Sequence, residues 1–198
     1  MEISASLVKE LRQKTNAGIL ECKNALQESN GDIETAVQIL RKKGVAIAEK
    51  KAHRKVPEGV VASYIHLGGK IGVLVEVNCE TDFVARNDVF RGFVKDITMQ
   101  IAAMNPKYMV REDVSPDVIE KEKEEYRSEI TDKPAHIIDK IVDGKMSKFF
   151  FSQNCLLDQP FVKDPDITIG QYLKETIAEL RENIVIRRFV RYSMGEDD

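Results

Sequence analysis

The stretch VVASYIHLGGKIGVLVEVNCETDFVARND, Val60 to Asp88, decides the architecture. Two runs rich in β-branched residues flank Gly68-Gly69, the pattern of a β-hairpin. The second run, KIGVLVEV, reads as a strand buried on at least one face. Such a strand ordinarily ends in a turn of Gly, Asn or Pro. This one ends in Glu80-Thr81-Asp82, and the turn then carries Phe83. From the residues alone, Thr81 or Asp82 reads as the cap of a short helical turn. Phe83 then reads as a core aromatic, because aromatics are usually inside.

Working outward, the chain changes character on either side of the hairpin. Residues 1 to 43 read as three short helices. Ser4 or Ser6 caps the first, whose face is Leu7, Val8 and Leu11, and Thr15-Asn16-Ala17-Gly18 breaks it. The second carries Ile19, Leu20, Cys22, Ala25 and Leu26 at helical spacing. Asp32 caps the third, with Ile33, Ala36, Val37, Ile39 and Leu40. Helices this short are not stable singly and must pack as a bundle. A charged, partly helical connector over residues 44–58 leads to Val56-Pro57-Glu58-Gly59. The division expected is therefore a three-helix module with its linker, residues 1–55, and an α+β core, residues 56–198.

Downstream of the hairpin, Asn87 or Asp88 caps a long amphipathic helix with Val89, Phe90, Phe93, Val94, Ile97 and Ile101, ending at Asn105-Pro106. A charged helix laced by i,i+4 pairs follows from Ser115-Pro116 to Glu129. Another starts at Pro134 and holds Ile137, Ile138, Ile141, Val142, Met146, Phe149 and Phe150, with Gly144 inside it. Residues 155–168 read as a loop and Ile169 to Glu182 as a helix. NIVIRRFVRYSM is β-branched and aromatic, and as a last strand it completes a three-stranded antiparallel sheet packed with helices. No internal repeat is visible.

Composition narrows the function. The formal charge of −3 argues against a dedicated nucleic-acid binder. The bases clustered from Lys42 to Lys55 read as a solvated helix end or as a patch for an acidic partner. Cys22, Cys79 and Cys155 lie far apart and without CxxC, which fits free thiols in a reducing, cytoplasmic setting. The N-terminal MEISASLVKEL does not read as a secretory leader, and no apolar run has the length of a membrane helix. His53, His66 and His136 have no metal-ligand spacing, and neither a P-loop nor a dinucleotide fingerprint occurs. No catalytic residues, metal ligands or cofactor are assigned. A binding module is favoured over an enzyme, with an adaptor or an RNA-binding factor as the rival readings.

Two stretches carry a resemblance. LRQKTNAGILECKNAL, Leu11 to Leu26, and EVNCETDFVAR, Glu76 to Arg86, are similar to the two signatures of the elongation factor Ts family. NGDIETAVQILRKKG, SYIHLGGKIGVLVE, KMSKFF, QPF and TIGQYL agree in order. The resemblance implies a guanine nucleotide exchange factor for elongation factor Tu, without covalent chemistry, that promotes GDP release so that GTP can bind. It implies that the N-terminal bundle is like a ubiquitin-associated domain and docks through Arg12, Ile19 and Leu20. It also implies that Thr81, Asp82, Phe83 and Val84 displace the partner's magnesium, and that His66 contacts another domain of that partner. On this reading Phe83 is an exposed wedge. Longer members carry a duplicated core half; here the core occurs once. That implies a homodimer with two partner molecules per dimer; from charge and hydropathy, no direct contact with nucleic acid and no membrane association are expected.

Overall fold

A computed structural model of the chain describes residues 3–130 and 134–196. The first helices are α1 (Ala5–Thr15), α2 (Ile19–Glu28) and α3 (Ile33–Lys51). Each boundary has a local cause. The Ser4 hydroxyl accepts from the Leu7 N–H, Asn16 closes α1 in a left-handed conformation, and Asp32 accepts from the Thr35 N–H at 2.7 Å. Leu11, Cys22, Ala25, Leu26 and Ala36 form the buried centre of the bundle, and Leu7, Val8, Ile33, Val37 and Leu40 pack around it.

The third helix runs on to Lys51, well into the expected connector. Glycine weakens a helix by exposing backbone and losing entropy. Gly44, however, is buried, and a Cβ there would sit 3.5 Å from Ala178. Close packing of one helix on another is what the small residue allows. The basic residues Lys50 and Lys51 occupy the last turn of α3, where cations suit the exposed carbonyls.

Strands β1 (Glu58–Ile65) and β2 (Ile71–Cys79) form the expected hairpin, with Gly68 and Gly69 both at positive φ in the turn. The His66 N–H donates to the Ile71 carbonyl and the Met194 N–H to the Lys70 carbonyl. The last strand, β5 (Ile184–Ser193), is thus antiparallel to β2, and the sheet order is β1-β2-β5. Val73, Val75, Val77 and Cys79 are buried while Leu74 between them is exposed, so β2 buries one face. Between β2 and β5 in sequence lie α4 (Asp82–Ala85), α5 (Asp88–Met104), α6 (Pro116–Ser128), α7 (Ala135–Lys145), α8 (Ser152–Asn154), β3 (Pro160–Phe161), β4 (Asp164–Thr168) and α9 (Ile169–Leu180).

Four details depart from the sequence expectations. The helix starting near Pro134 does not run uniformly to Phe150: after Lys145 it widens into a π-helical turn, Met146–Phe151. There Met146 is buried, Phe149 is exposed, and the Arg111 guanidinium lies 4.7 Å over the Phe151 ring. The charges of α6 also reach beyond their own helix: Lys123 pairs with Asp143 of α7 at 3.0 Å and Arg127 with Asp139 at 3.7 Å. The expected loop at 155–168 contains the antiparallel pair β3 and β4. It is held by buried Gln100, which donates to the Pro160 carbonyl and accepts from the Val162 N–H. Finally, α9 stops at Leu180, because Arg181 is left-handed (φ 59°), and Glu182 leaves the helix axis.

The fold divides into two compact units. One comprises the chain up to Val61 with Glu76–Val94 and Leu173–Arg187; the other comprises Ala62–Val75, Lys95–Tyr172 and the chain from Arg188 onward. Among the described residues no helix is long and apolar enough to cross a membrane.

Candidate functional site

The turn after β2 is built in the first unit. Thr81 has extended backbone, and its hydroxyl accepts from the Val84 N–H at 3.4 Å, capping α4. The Thr81 carbonyl accepts from the Ala85 N–H and from the Cys79 thiol, each at 3.2 Å. One helical turn forms and then ends, with the Asn87 side chain accepting from the Val89 N–H to start α5. Of the two candidate caps, Thr81 is the one used. Asp82 instead lies in the first turn and pairs with Arg86 at 3.0 Å, with both side chains substantially exposed. Such a pair contributes at most about 1 kcal/mol.

Phe83 projects from this turn with 83% of its surface open. The core reading of the ring is therefore wrong for this chain. Ala85 on the same helix is buried and Val84 is half-buried, so one side of the turn is seated and the other side carries the phenyl ring.

Glu182 and Asn183, which the sequence did not single out, hold the turn in place together with Glu80. Glu182 Oε2 accepts from the backbone N–H groups of Glu80 and Thr81 at 3.1 and 3.0 Å, and its Oε1 accepts from the Thr81 hydroxyl at 2.6 Å. In return, Glu80 accepts from the backbone N–H of Asn183 at 2.6 Å. Buried Asn183 donates to the Arg54 carbonyl at 2.9 Å and to the Ala52 carbonyl at 3.4 Å, and the Arg54 guanidinium reaches Glu80 at 3.4 Å. Burial pushes the Cys79 thiol up to about 11, and the nearby Glu182 carboxylate adds to the effect. Gly59 has φ 147° and lies so close to β2 that a Cβ would stand 2.2 Å from the Val77 carbonyl oxygen. No motif marks Glu182, about a hundred residues from Thr81; the sequence signal was an acid read as the last residue of a helix.

A second surface lies on the helical bundle. Ile3, Ala5, Val8, Lys9, Arg12, Ile19 and Lys23 line a groove of about 510 Å³. Arg12 and Ile19 are thus brought together, and Leu20 stands exposed beside Ile19 in the chain. Ile19 is 62% and Leu20 69% exposed, although both fit the helical apolar spacing that buries Cys22, Ala25 and Leu26. His66 sits exposed at the hairpin turn in the second unit, its Nδ1 3.0 Å from the Tyr64 hydroxyl. Among the described residues no cluster of His, Cys, Asp and Glu could hold a metal ion.

The family model described as elongation factor TS matches residues 2–196. The chain is 59% identical over 196 residues to elongation factor Ts of Caldanaerobacter subterraneus subsp. tengcongensis, an alignment covering 98% of each. It is 58% identical over 198 residues to elongation factor Ts of Geobacter sulfurreducens, covering 99% of this chain and 91% of the relative. It is 56% identical over 197 residues to elongation factor Ts of Thermodesulfovibrio yellowstonii, covering 99% and 98%.

Proposed function

The chain belongs to the elongation factor Ts family, the nucleotide exchange factors of elongation factor Tu in translation elongation, and we propose that its Thr81–Val84 turn is the element that acts on the partner's nucleotide site. The work is binding work, without covalent chemistry. The observation that supports this reading is the exposed phenyl ring of Phe83 on a short helix whose base is fixed by hydrogen bonds. An exposed aromatic held on a rigid base loses little entropy when it enters a pocket. Asp82 lies one residue away, and its exposed pair with Arg86 is weak enough to open. Together they are the groups that disturb the partner's magnesium and loosen GDP.

The ring does not act alone. Burying one Phe is worth about 1.5–3 kcal/mol. Loosening a nucleotide by roughly 10⁴-fold requires about 5.5 kcal/mol of differential affinity. The rest comes from docking, through Arg12, Ile19 and Leu20 on the bundle and His66 at the hairpin. Binding is reciprocal, so GDP and magnesium on the partner weaken its hold on this chain. The setting is the cytoplasm.

The working unit is a homodimer that binds two partner molecules. A single core copy supports this, and so does the position of β5 at the edge of the sheet, with Tyr192 and Met194 exposed along and just beyond it. Light scattering is expected to give twice the 22.5 kDa chain mass; a monomer both free and in complex refutes the dimer. The functional test is release of labelled GDP from elongation factor Tu with and without the protein. Acceleration is expected, and an unchanged release rate refutes the reading.

A further inference from the structure

We propose that Glu182 is the positioning residue of the exchange turn: its carboxylate fixes the direction in which Phe83 projects. The inference rests on the reading of Phe83 as the wedge. A single helical turn is unstable by itself, so the orientation of α4 is set by whatever anchors its first residues. Those residues are Glu80 and Thr81, and one side chain takes both of their backbone N–H groups and the Thr81 hydroxyl. An ionised carboxylate is a pure acceptor with room for three donors. With its O–H donating a hydrogen bond to Glu182, the Thr81 oxygen keeps lone pairs free and turns one to the Val84 N–H. The carboxylate therefore sets the Thr81 rotamer, the rotamer places the cap, and the cap places the turn.

Glu182 is itself held. Its neighbour Asn183 is buried, donates its backbone N–H to Glu80, and reaches the Ala52 and Arg54 carbonyls through its side-chain amide. Left-handed Arg181 turns the chain out of α9 just before it. Three separate segments thus converge beneath the turn, and Glu182 is the member that touches the cap. Glu182 is half-buried and its carboxylate is spent on the base of the turn, so its effect on exchange passes through the wedge.

Substitutions separate this from a general structural role. Glu182→Ala removes all three bonds. Glu182→Gln keeps the frame, because its amide oxygen accepts the two N–H groups while its NH₂ donates to the Thr81 oxygen. With saturating factor, Glu182→Ala is expected to lower the maximal GDP-release rate about tenfold, as misplaced catalytic elements do, with little change in the half-saturating concentration. Glu182→Gln is expected to retain most of the rate. The deciding measurement is the cycle with Phe83→Ala. In that background Glu182→Ala should cost no further rate, since the group it positions is gone. A full additional loss in the double variant, or an undiminished rate for Glu182→Ala with Phe83 present, overturns the proposal. Should Glu182→Ala not fold, Thr81→Val carries the same cycle, because it removes the hydroxyl that links Glu182 to the cap. A Phe83→Ala variant that exchanges normally removes the wedge reading, and this inference with it.

Discussion

Replacing Phe83 by Ala separates stability from function because the ring is 83% exposed in the free protein. Surface substitutions away from caps and cores change stability within about 0.5 kcal/mol. For a chain of this size that is roughly 1–2 °C of melting temperature. The backbone bonds of α4, the Thr81 cap and the seated Ala85 are all untouched. On the partner the balance differs. A phenyl ring buried there contributes about 1.5–3 kcal/mol, and a loss of about 2 kcal/mol slows catalysed release roughly thirtyfold. The assay is stopped-flow release of fluorescent GDP from elongation factor Tu, run beside a thermal melt of each variant. The reasoning is refuted if Phe83→Ala melts as a core truncation would, losing about 3–5 kcal/mol, while exchanging normally per folded molecule. Unchanged melting with unchanged release refutes it equally.

Three further outcomes follow from other parts of the molecule. Ile19→Asp with Leu20→Asp places charge on two exposed apolar positions of the bundle, so folding should hold while affinity for elongation factor Tu falls by at least about tenfold, checked by calorimetric titration. Gly59→Ala should destabilise the chain by about 1–3 kcal/mol from backbone strain alone, with the clash against the Val77 carbonyl adding to it, measured by urea unfolding. Burial raises the Cys79 and Cys155 thiols from 9.0 to about 11, so the unfolded chain releases these protons first. Stability is therefore unaffected by them below pH 9 and falls as pH rises from 9 through about 11, a decline that Cys79→Ala should blunt.

Much of the fold could be read because its causes are local. Period-two alternation around Gly68-Gly69 gives the hairpin, and side-chain oxygens at Ser4 and Asp32 start helices where the apolar period begins. The β-branched run at the C-terminus becomes the third strand for the same reason. The turn proposed for exchange, and the positions Arg12, Ile19, Leu20 and His66 proposed for docking, were picked out by the resemblance. Other features depend on which surfaces meet. Gly44 looks like a helix end until Ala178 packs on it. Ile19 and Leu20 share a helical period with Cys22, Ala25 and Leu26, yet one set is exposed and the other buried, because periodicity cannot say how far the covered arc extends. Phe83 has the composition of a core residue, and its exposure was decided by the turn that carries it. That turn is anchored by Glu182, which is remote in sequence and carries no local signature. Local chemistry determined the elements and their ends. The tertiary structure decided which apolar groups stay exposed and which acid holds the turn beneath Phe83, since hydrogen bonds and burial between distant segments exist only once the chain has closed on itself.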